Sequence, residues 1–204
     1  MTPSRKDHWE NVYTKKSDQE VSWYEEVPVQ SLGLITELAG PDAHIIDVGG
    51  GNSNLVGELL LRGYQQLTVL DISAAALERT RQKLGTRASN VVWEVADVTS
   101  YVPDQTFDVW HDRATFHFLT DEADQKSYLE LVQRAIKPGG YLVLATFATS
   151  GPEKCSGLEI CQYDTPGLEA FFGEHFEVVQ AFENTHETPF GTSQNFIYAV
   201  LRKR

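Results

Sequence analysis

The fold is decided by the stretch Asp47-Val48-Gly49-Gly50-Gly51-Asn52-Ser53-Asn54. It follows the apolar run of residues 44–48, which predicts a strand. It precedes the apolar pattern of residues 55–62, which predicts a helix closed by Gly63. Glycines at such a junction let the backbone turn tightly and approach a ligand closely. The dinucleotide pattern G-x-G-x-x-G would need glycine where Asn54 stands. The loop therefore indicates either a tight turn or a ligand cradle preceded by an acid.

Strand and helix patterns alternate around this loop. Further strands are predicted at residues 67–71, 91–95, 107–111 and 141–147, with helices after Pro28, after Ser73 and over residues 121–136. Lys137-Pro138-Gly139-Gly140 is expected to end the last helix. Residues 176–182 and 195–201 predict two more strands that pair as a hairpin at one sheet edge. The alternation predicts an α/β fold, with a parallel sheet covered by helices on both faces and ligands bound at the strands' carboxyl ends.

Length and composition limit the classes of protein to which this chain can belong. The 204 residues suit one domain, and we expect a single domain over 1–204, with a helical N-terminal cap at 1–40 and a core at 44–204. Acidic residues number 29 and basic residues 17, giving a net charge of −12. Because this charge repels polyanions, no nucleic-acid partner is expected.

Membrane and secreted classes are also disfavoured. No apolar stretch approaches the roughly 18 residues of a spanning helix, and the polar start Met1–His8 is unlike a signal peptide. Cys155 and Cys161 are too few for a disulfide scaffold. They could bind a soft metalloid, but without a third ligand we expect free thiols, no metal site and a cytoplasmic location.

Two acids follow the second and third predicted strands. Asp71 is placed to accept hydrogen bonds from both hydroxyls of a ribose, although an acid that favours a helix start is the alternative. Asp97, between Ala96 and Val98, is placed to accept from the exocyclic amine of an adenine, or is a turn residue. Together with the glycine loop, they predict an adenosine bound across the sheet edge without a requirement for phosphates.

These motifs resemble class I, seven-strand S-adenosylmethionine-dependent methyltransferases. The resemblance runs from Ile45 to about Phe147 and comprises D-V-G-G-G-N-S at 47–53, V-L-D-I-S at 69–73, A-D-V at 96–98 and K-P-G-G at 137–140. V-S-W-Y-E at 21–25 resembles the lead-in of a subgroup that includes lysine methyltransferases of elongation factors. The resemblance to class I methyltransferases implies a Rossmann-like doubly wound sheet in the order 3-2-1-4-5-7-6, with strand 7 antiparallel.

The same resemblance implies the cofactor S-adenosyl-L-methionine, with S-adenosyl-L-homocysteine as product. Asp47 is expected near the cofactor's amino end, Asp71 at the ribose, and Ile72, Asp97 and Val98 around the adenine. The expected cofactor contacts in full are Trp23, Asp47, Gly49, Gly50, Gly51, Asn52, Asp71, Ile72, Ser73, Asp97, Val98 and His111.

The segment after the fourth strand should lie against the transferred methyl group. His111 and His117 are the candidate general bases, because imidazole titrates near neutrality, but either could be a hydrogen-bonded wall residue. Arg113 and Tyr24 are expected to contact the acceptor, with an ion pair to Asp112 or another acid as the alternative for Arg113. The elongation-factor enzymes resemble D-K-G-T-x-D here, whereas this chain has D-R-A-T-F-H, which puts a protein-lysine acceptor in doubt.

Four aromatic residues of the N-terminal segment have two interpretations. Trp9, Tyr13, Trp23 and Tyr24 could cover cofactor and acceptor as a lid, or pack the first helix onto the sheet. The predicted function is methyl transfer to a small molecule. A protein-lysine methyltransferase, a nicotinamide-dependent oxidoreductase and a non-catalytic cofactor-binding protein are the alternatives. The acceptor atom and the oligomeric state are left open.

Overall fold

The computed structural model describes residues 4–204; the first three residues of the polar start, which bear on the expected absence of a signal peptide, lie outside this range. Seven strands form one sheet in the order 3-2-1-4-5-7-6. They are β1 (His44–Val48), β2 (Gln66–Asp71), β3 (Val91–Val95), β4 (Phe107–Arg113), β5 (Ile136–Phe147), β6 (Phe176–Glu187) and β7 (Ser193–Lys203). β7 pairs antiparallel with β5 and β6, and the other pairs are parallel. The predicted fold class is confirmed.

Helices cover both faces of the sheet. They are α1 (Arg5–Lys15), α2 (Val29–Leu38), α3 (Leu55–Leu61), α4 (Ala74–Leu84), α5 (Glu122–Ala135) and α6 (Thr165–Phe172). One apolar core lies beneath α5 and α6, and a second holds α2, α3 and α4 against β1 and β2. Ile35 of α2 is fully buried in the second core, and α1 packs in a third apolar cluster with Val21 and Ala76.

The Lys137–Gly140 segment differs from its prediction. The helix ends at Ala135, and β5 already begins at Ile136, with a register shift opposite Phe107 and Val109 of β4. Gly139 has a φ of +74°, and a methyl group on Gly140 would lie 2.9 Å from the carbonyl oxygen of Asp108. The glycines thus form an irregular first part of the strand rather than a helix stop.

The C-terminal hairpin is longer than predicted. Its strands stay paired out to Glu187 and Ser193, beyond the apolar residues that marked them in the sequence. Within residues 4–204, none of the helices is both long and apolar enough to cross a membrane.

Candidate active site

Two adjoining cavities open at the carboxyl edge of the parallel strands. The first, of about 700 Å³, is lined by Arg5, Trp9, Tyr13, Trp23, Val48, Gly49, Leu70, Asp71, Ile72, Ala96, Asp97, Val98, Arg113, Ala114, Thr115, Phe118, Leu119 and Cys155. The second, of about 530 Å³, is lined by Tyr13, Val21, Trp23, Tyr24, Glu25, Pro28, Ser31, Asp47, Gly49, Gly50, Asn52, Ser53, Asn54, His111 and Arg113. The four shared residues make the cavities neighbours.

The glycine loop packs directly on the acids beside it. Gly49 has a φ of +69°, and a methyl group there would overlap the hydroxyl of Thr115. A methyl group on Gly50 would overlap the carboxylate of Asp47. Only glycine allows this approach, so the loop is a close-fitting wall of both cavities.

Asp71 ends β2 and faces the first cavity. Its carboxylate accepts hydrogen bonds from the amides of Gly51 at 3.0 Å and Ser73 at 2.8 Å. Burial raises the pKa of Asp71 to about 6, against the lowering effect of these two amides. Gly51 and Ser73 are both expected at the cofactor, but they line neither cavity. Their amides hold the Asp71 carboxylate in position.

Asp97 also faces the first cavity, but it is shared with the N-terminal helix. Nη1 of Arg5 donates to both Asp97 oxygens, at 3.2 and 3.0 Å, and Nη2 donates to Asp124. The Thr99 amide donates to the same carboxylate at 2.9 Å. Asp97, the acid expected at the adenine, thus also holds α1 over the first cavity. Ile72 and Val98 line the same cavity beside it.

Asp47, His111 and Ser31 form a buried chain, with 4%, 3% and 1% of their surfaces exposed. Nδ1 of His111 lies 2.7 Å from Oδ1 of Asp47, and Nε2 lies 2.8 Å from the Ser31 hydroxyl. A neutral His111 that donates to Asp47 and accepts from Ser31 satisfies both ring nitrogens. His111 is therefore placed to orient Asp47, and neither nitrogen is open to take a proton from an acceptor.

His117 lies away from both cavities. It is fully buried between the rings of Phe118 and Phe147, and its Nδ1 accepts from the Phe147 amide at 3.4 Å. Burial lowers the pKa of His117 to about 3, so it is neutral at physiological pH. This placement matches a wall residue and does not support a role as general base.

Arg113 borders both cavities. Its Nε lies 3.1 Å from the Tyr198 hydroxyl and 3.3 Å from a Glu25 oxygen, and Nη1 donates to the carbonyl of Trp23 at 3.0 Å. The guanidinium lies 4.9 Å from the centre of the Phe196 ring. The acid paired with Arg113 is thus Glu25 rather than Asp112.

The aromatic residues of the N-terminal segment dock α1 onto the rest of the chain. Trp9, Tyr13, Trp23 and Phe118 pack on one another, with ring centres 4.9 to 6.2 Å apart, and all four line the first cavity. A role as a lid stays a prediction. Tyr24 lies on the second cavity.

Three buried polar atoms of residues on the second cavity have no partner within residues 4–204. They are Oδ2 of Asp47, Nδ2 of Asn52 and Nη2 of Arg113. The Asp47 oxygen is an anionic acceptor. The nitrogens of Asn52 and Arg113 are donors, and that of Arg113 belongs to a cation. Unpartnered buried groups are costly, which favours a ligand that pairs with them. An ammonium for Asp47 and a carboxylate for Arg113 are the groups of an α-amino acid.

A family model for a methyltransferase domain matches residues 39–190, about three quarters of the chain. The chain belongs to this methyltransferase family. One relative is the eEF1A lysine and N-terminal methyltransferase of Danio rerio, 29% identical over 150 residues, which cover 71% of this chain and 21% of that protein. Another is Nodulation protein S of Rhizobium tropici, 28% identical over 113 residues, which cover 55% of this chain and 47% of that protein. The chain thus spans about a fifth to a half of the length of these relatives.

A solved methyltransferase has the same fold. N-methyltransferase NodS from Bradyrhizobium japonicum, solved with S-adenosylhomocysteine, superposes with a TM-score of 0.72 at 15% identity, covering 97% of this chain and 99% of that one.

Sequence reasoning gave no site role to four residues of this candidate site: Arg5, Glu25, Ser31 and Asn54. Asn54, noted only as a departure from a glycine pattern, donates from Nδ2 to the carbonyls of Glu25 and Glu26 at 3.0 and 3.1 Å. It ties the N-terminal segment to the glycine loop. No spacing in the sequence signals contacts between residues so far apart.

Proposed function

We propose that the chain transfers a methyl group from S-adenosylmethionine to a small-molecule acceptor. Family membership supports the reaction class. The observation that carries the cofactor assignment is the set of unpartnered atoms on the second cavity, beside an acid-lined first cavity. Together they suit an adenosine joined to an α-amino acid, whereas a nicotinamide dinucleotide would need groups for a pyrophosphate.

The residues divide between the parts of this cofactor. Asp71 is assigned to the ribose hydroxyls and Asp97 to the adenine amine. Asp47 is assigned to the ammonium, and Arg113 to the carboxylate instead of the acceptor contact expected from the sequence. When bound, the cofactor supplies an electrophilic methyl group on a sulfonium sulfur. The chain's part is to align the acceptor and exclude water, and alignment of this kind is worth up to about 7–11 kcal/mol in ideal systems.

Calorimetric titration tests the assignment. S-adenosylmethionine and S-adenosylhomocysteine should bind, NADH should not, and Asp71→Ala should weaken binding at least about tenfold, because hydrogen bonds to a charged group contribute roughly 1.5–3 kcal/mol. Binding of NADH instead, or of none of the three, would overturn the proposal.

A truncated ligand separates the two cavities. 5′-Methylthioadenosine lacks the amino acid, so Asp47→Asn should weaken S-adenosylhomocysteine about tenfold or more and leave 5′-methylthioadenosine unchanged. Equal losses for both ligands would show that Asp47 does not contact the ammonium.

A protein-lysine acceptor is the second candidate, favoured by the likeness to the eEF1A methyltransferase. Incubating a lysate with the enzyme and methyl-labelled cofactor separates the two. The leading proposal expects label in a new small molecule that separates from the labelled cofactor on chromatography. Label that enters protein, and is lost with Asp71→Ala, would favour the second candidate.

The remaining assignments belong to the same proposal. We treat the chain as one methyltransferase domain without a nucleic-acid partner, on its net charge of −12. A cytoplasmic location is supported by two free cysteines, which suit a reducing compartment.

A further inference from the structure

Glu25 is an acid of the second cavity to which no role has yet been given. It lies in the segment between α1 and α2, and its side chain is 19% exposed. The Asn54 side chain holds its backbone carbonyl at 3.0 Å. The backbone of Glu25 is therefore fixed beside the glycine loop, and its side chain lines the second cavity.

Arg113 and His186 flank the Glu25 carboxylate. Arg113 Nε lies 3.3 Å from one oxygen, and His186 Nδ1 lies 3.7 Å from the other. His186 is held in turn by the carbonyl of Ser22, 2.7 Å from Nε2. Burial alone would raise the pKa of Glu25, but His186 and Arg113 outweigh it and hold this pKa below its usual value. Both contacts are longer than the 2.7–2.9 Å typical of charge-assisted hydrogen bonds, so an ionised Glu25 has acceptor capacity left.

The other titratable groups around the cavities are already engaged. Asp47 is bonded to His111 and assigned to the ammonium, while Asp71 and Asp97 are assigned to the adenosine. Burial raises the pKa of Cys155 to about 11, so this thiol on the first cavity stays protonated at neutral pH. Two acids line the second cavity, Glu25 and Asp47. Glu25 is the one to which the cofactor assignment gives no ligand contact.

We propose that Glu25 binds the nucleophilic nitrogen of the acceptor, and that the acceptor is an amine. This rests on the proposed function. An amine that arrives as an ammonium first loses one proton to water, and the neutral amine donates an N–H to Glu25. Its lone pair forms the N–C bond with the methyl group while the C–S bond breaks and its electron pair stays on sulfur. The product leaves as a methylammonium.

Charge explains why an amine fits better than an oxygen or sulfur acceptor. The nitrogen becomes positive as it attacks, and a fixed carboxylate stabilises that charge in the transition state. A hydroxyl or thiol must instead lose its proton to a base, and a carboxylate with a lowered pKa is a poor one. An anionic thiolate would also be repelled.

Sinefungin tests this without a known acceptor. It carries an amine where S-adenosylmethionine carries its methyl group, so its ammonium points toward the acceptor's position. We expect the wild-type chain to bind sinefungin at least about tenfold tighter than S-adenosylhomocysteine, as for a charge-assisted hydrogen bond. Glu25→Gln should reduce this preference to within about twofold, and thermal unfolding of the variant without ligand checks that it is folded.

Matched variants sharpen the result. Glu26→Gln, at the exposed neighbouring acid, should keep the full preference. Glu25→Asp keeps the negative charge and should keep part of the preference for sinefungin. An unchanged ratio in Glu25→Gln, or equal weakening of both ligands, would overturn the inference, the latter by placing Glu25 at the cofactor. If neither ligand binds the wild-type chain, the proposed function itself fails.

Discussion

Asp112 at the end of β4 should make the chain less stable as the pH rises. Its carboxylate is fully buried and accepts hydrogen bonds from the Tyr128 hydroxyl at 2.7 Å and the amides of Thr115 and Phe116 at 2.9 and 3.2 Å. These bonds shape the turn after β4, directly beyond Arg113, which lines both cavities. Burial raises the pKa of Asp112 from 3.8 to about 6 despite them.

The sign and size of the effect follow from this pKa. A group whose pKa is higher in the folded than in the unfolded state stabilises the fold below its unfolded pKa, and this stability is lost as the pH rises through the folded pKa. Each pKa unit corresponds to 1.36 kcal/mol, but part of the total is already lost at pH 4, which is just above the unfolded pKa, so the loss between pH 4 and pH 7 is about 2 kcal/mol. Asparagine at this position keeps the size of the side chain and cannot ionise.

Urea unfolding of the wild type and Asp112→Asn at several pH values measures this loss. The free energy of unfolding of Asp112→Asn minus that of the wild type should increase by about 2 kcal/mol from pH 4 to pH 7. Other titrating groups cancel in this difference, and any fixed change in hydrogen bonding shifts it equally at every pH. A difference that is flat or decreases with pH would refute the reasoning.

Three further predictions concern the site. The affinity for S-adenosylhomocysteine should weaken about tenfold per pH unit below pH 6, as the Asp71 carboxylate gains a proton, and calorimetry on Asp71→Asn should show this dependence removed. His111→Gln should weaken cofactor binding about tenfold through Asp47 while kcat stays within about threefold, whereas loss of a general base would lower kcat by about 10²–10⁴-fold in single-turnover assays. Ala114 has a φ of +69°, so Ala114→Gly should stabilise the fold by up to about 1 kcal/mol in urea unfolding, and a destabilised variant would contradict backbone strain there.

The sheet order and the placement of the acids at its edge could be predicted from the sequence. Parallel strands place their carboxyl ends together, so residues that follow them in the chain, such as Asp71 and Asp97, meet at one edge. Asp47, Ile72 and Val98 line the cavities for the same reason. The Ser73 cap of α4 was also predictable, because its side chain accepts from the Ala76 amide within one helix turn.

Contacts between distant segments could not be predicted in this way. Arg5 and Asp97 are 92 residues apart, and Ser31 and His111 are 80 apart. A histidine in the sequence does not show whether its two nitrogens are engaged, which made His111 and His117 look equally suited to act as bases. Glu25 was seen as part of a family motif, yet its place beside Arg113 depends on how the N-terminal segment folds over the strand ends.

A crystal structure of the chain with S-adenosylhomocysteine tests the central claim most directly. We predict the ribose hydroxyls within hydrogen-bond distance of Asp71, the ammonium on Asp47 and the carboxylate on Arg113, with the sulfur toward Glu25. A ligand bound outside the two cavities, or a ribose without contact to Asp71, would contradict the account.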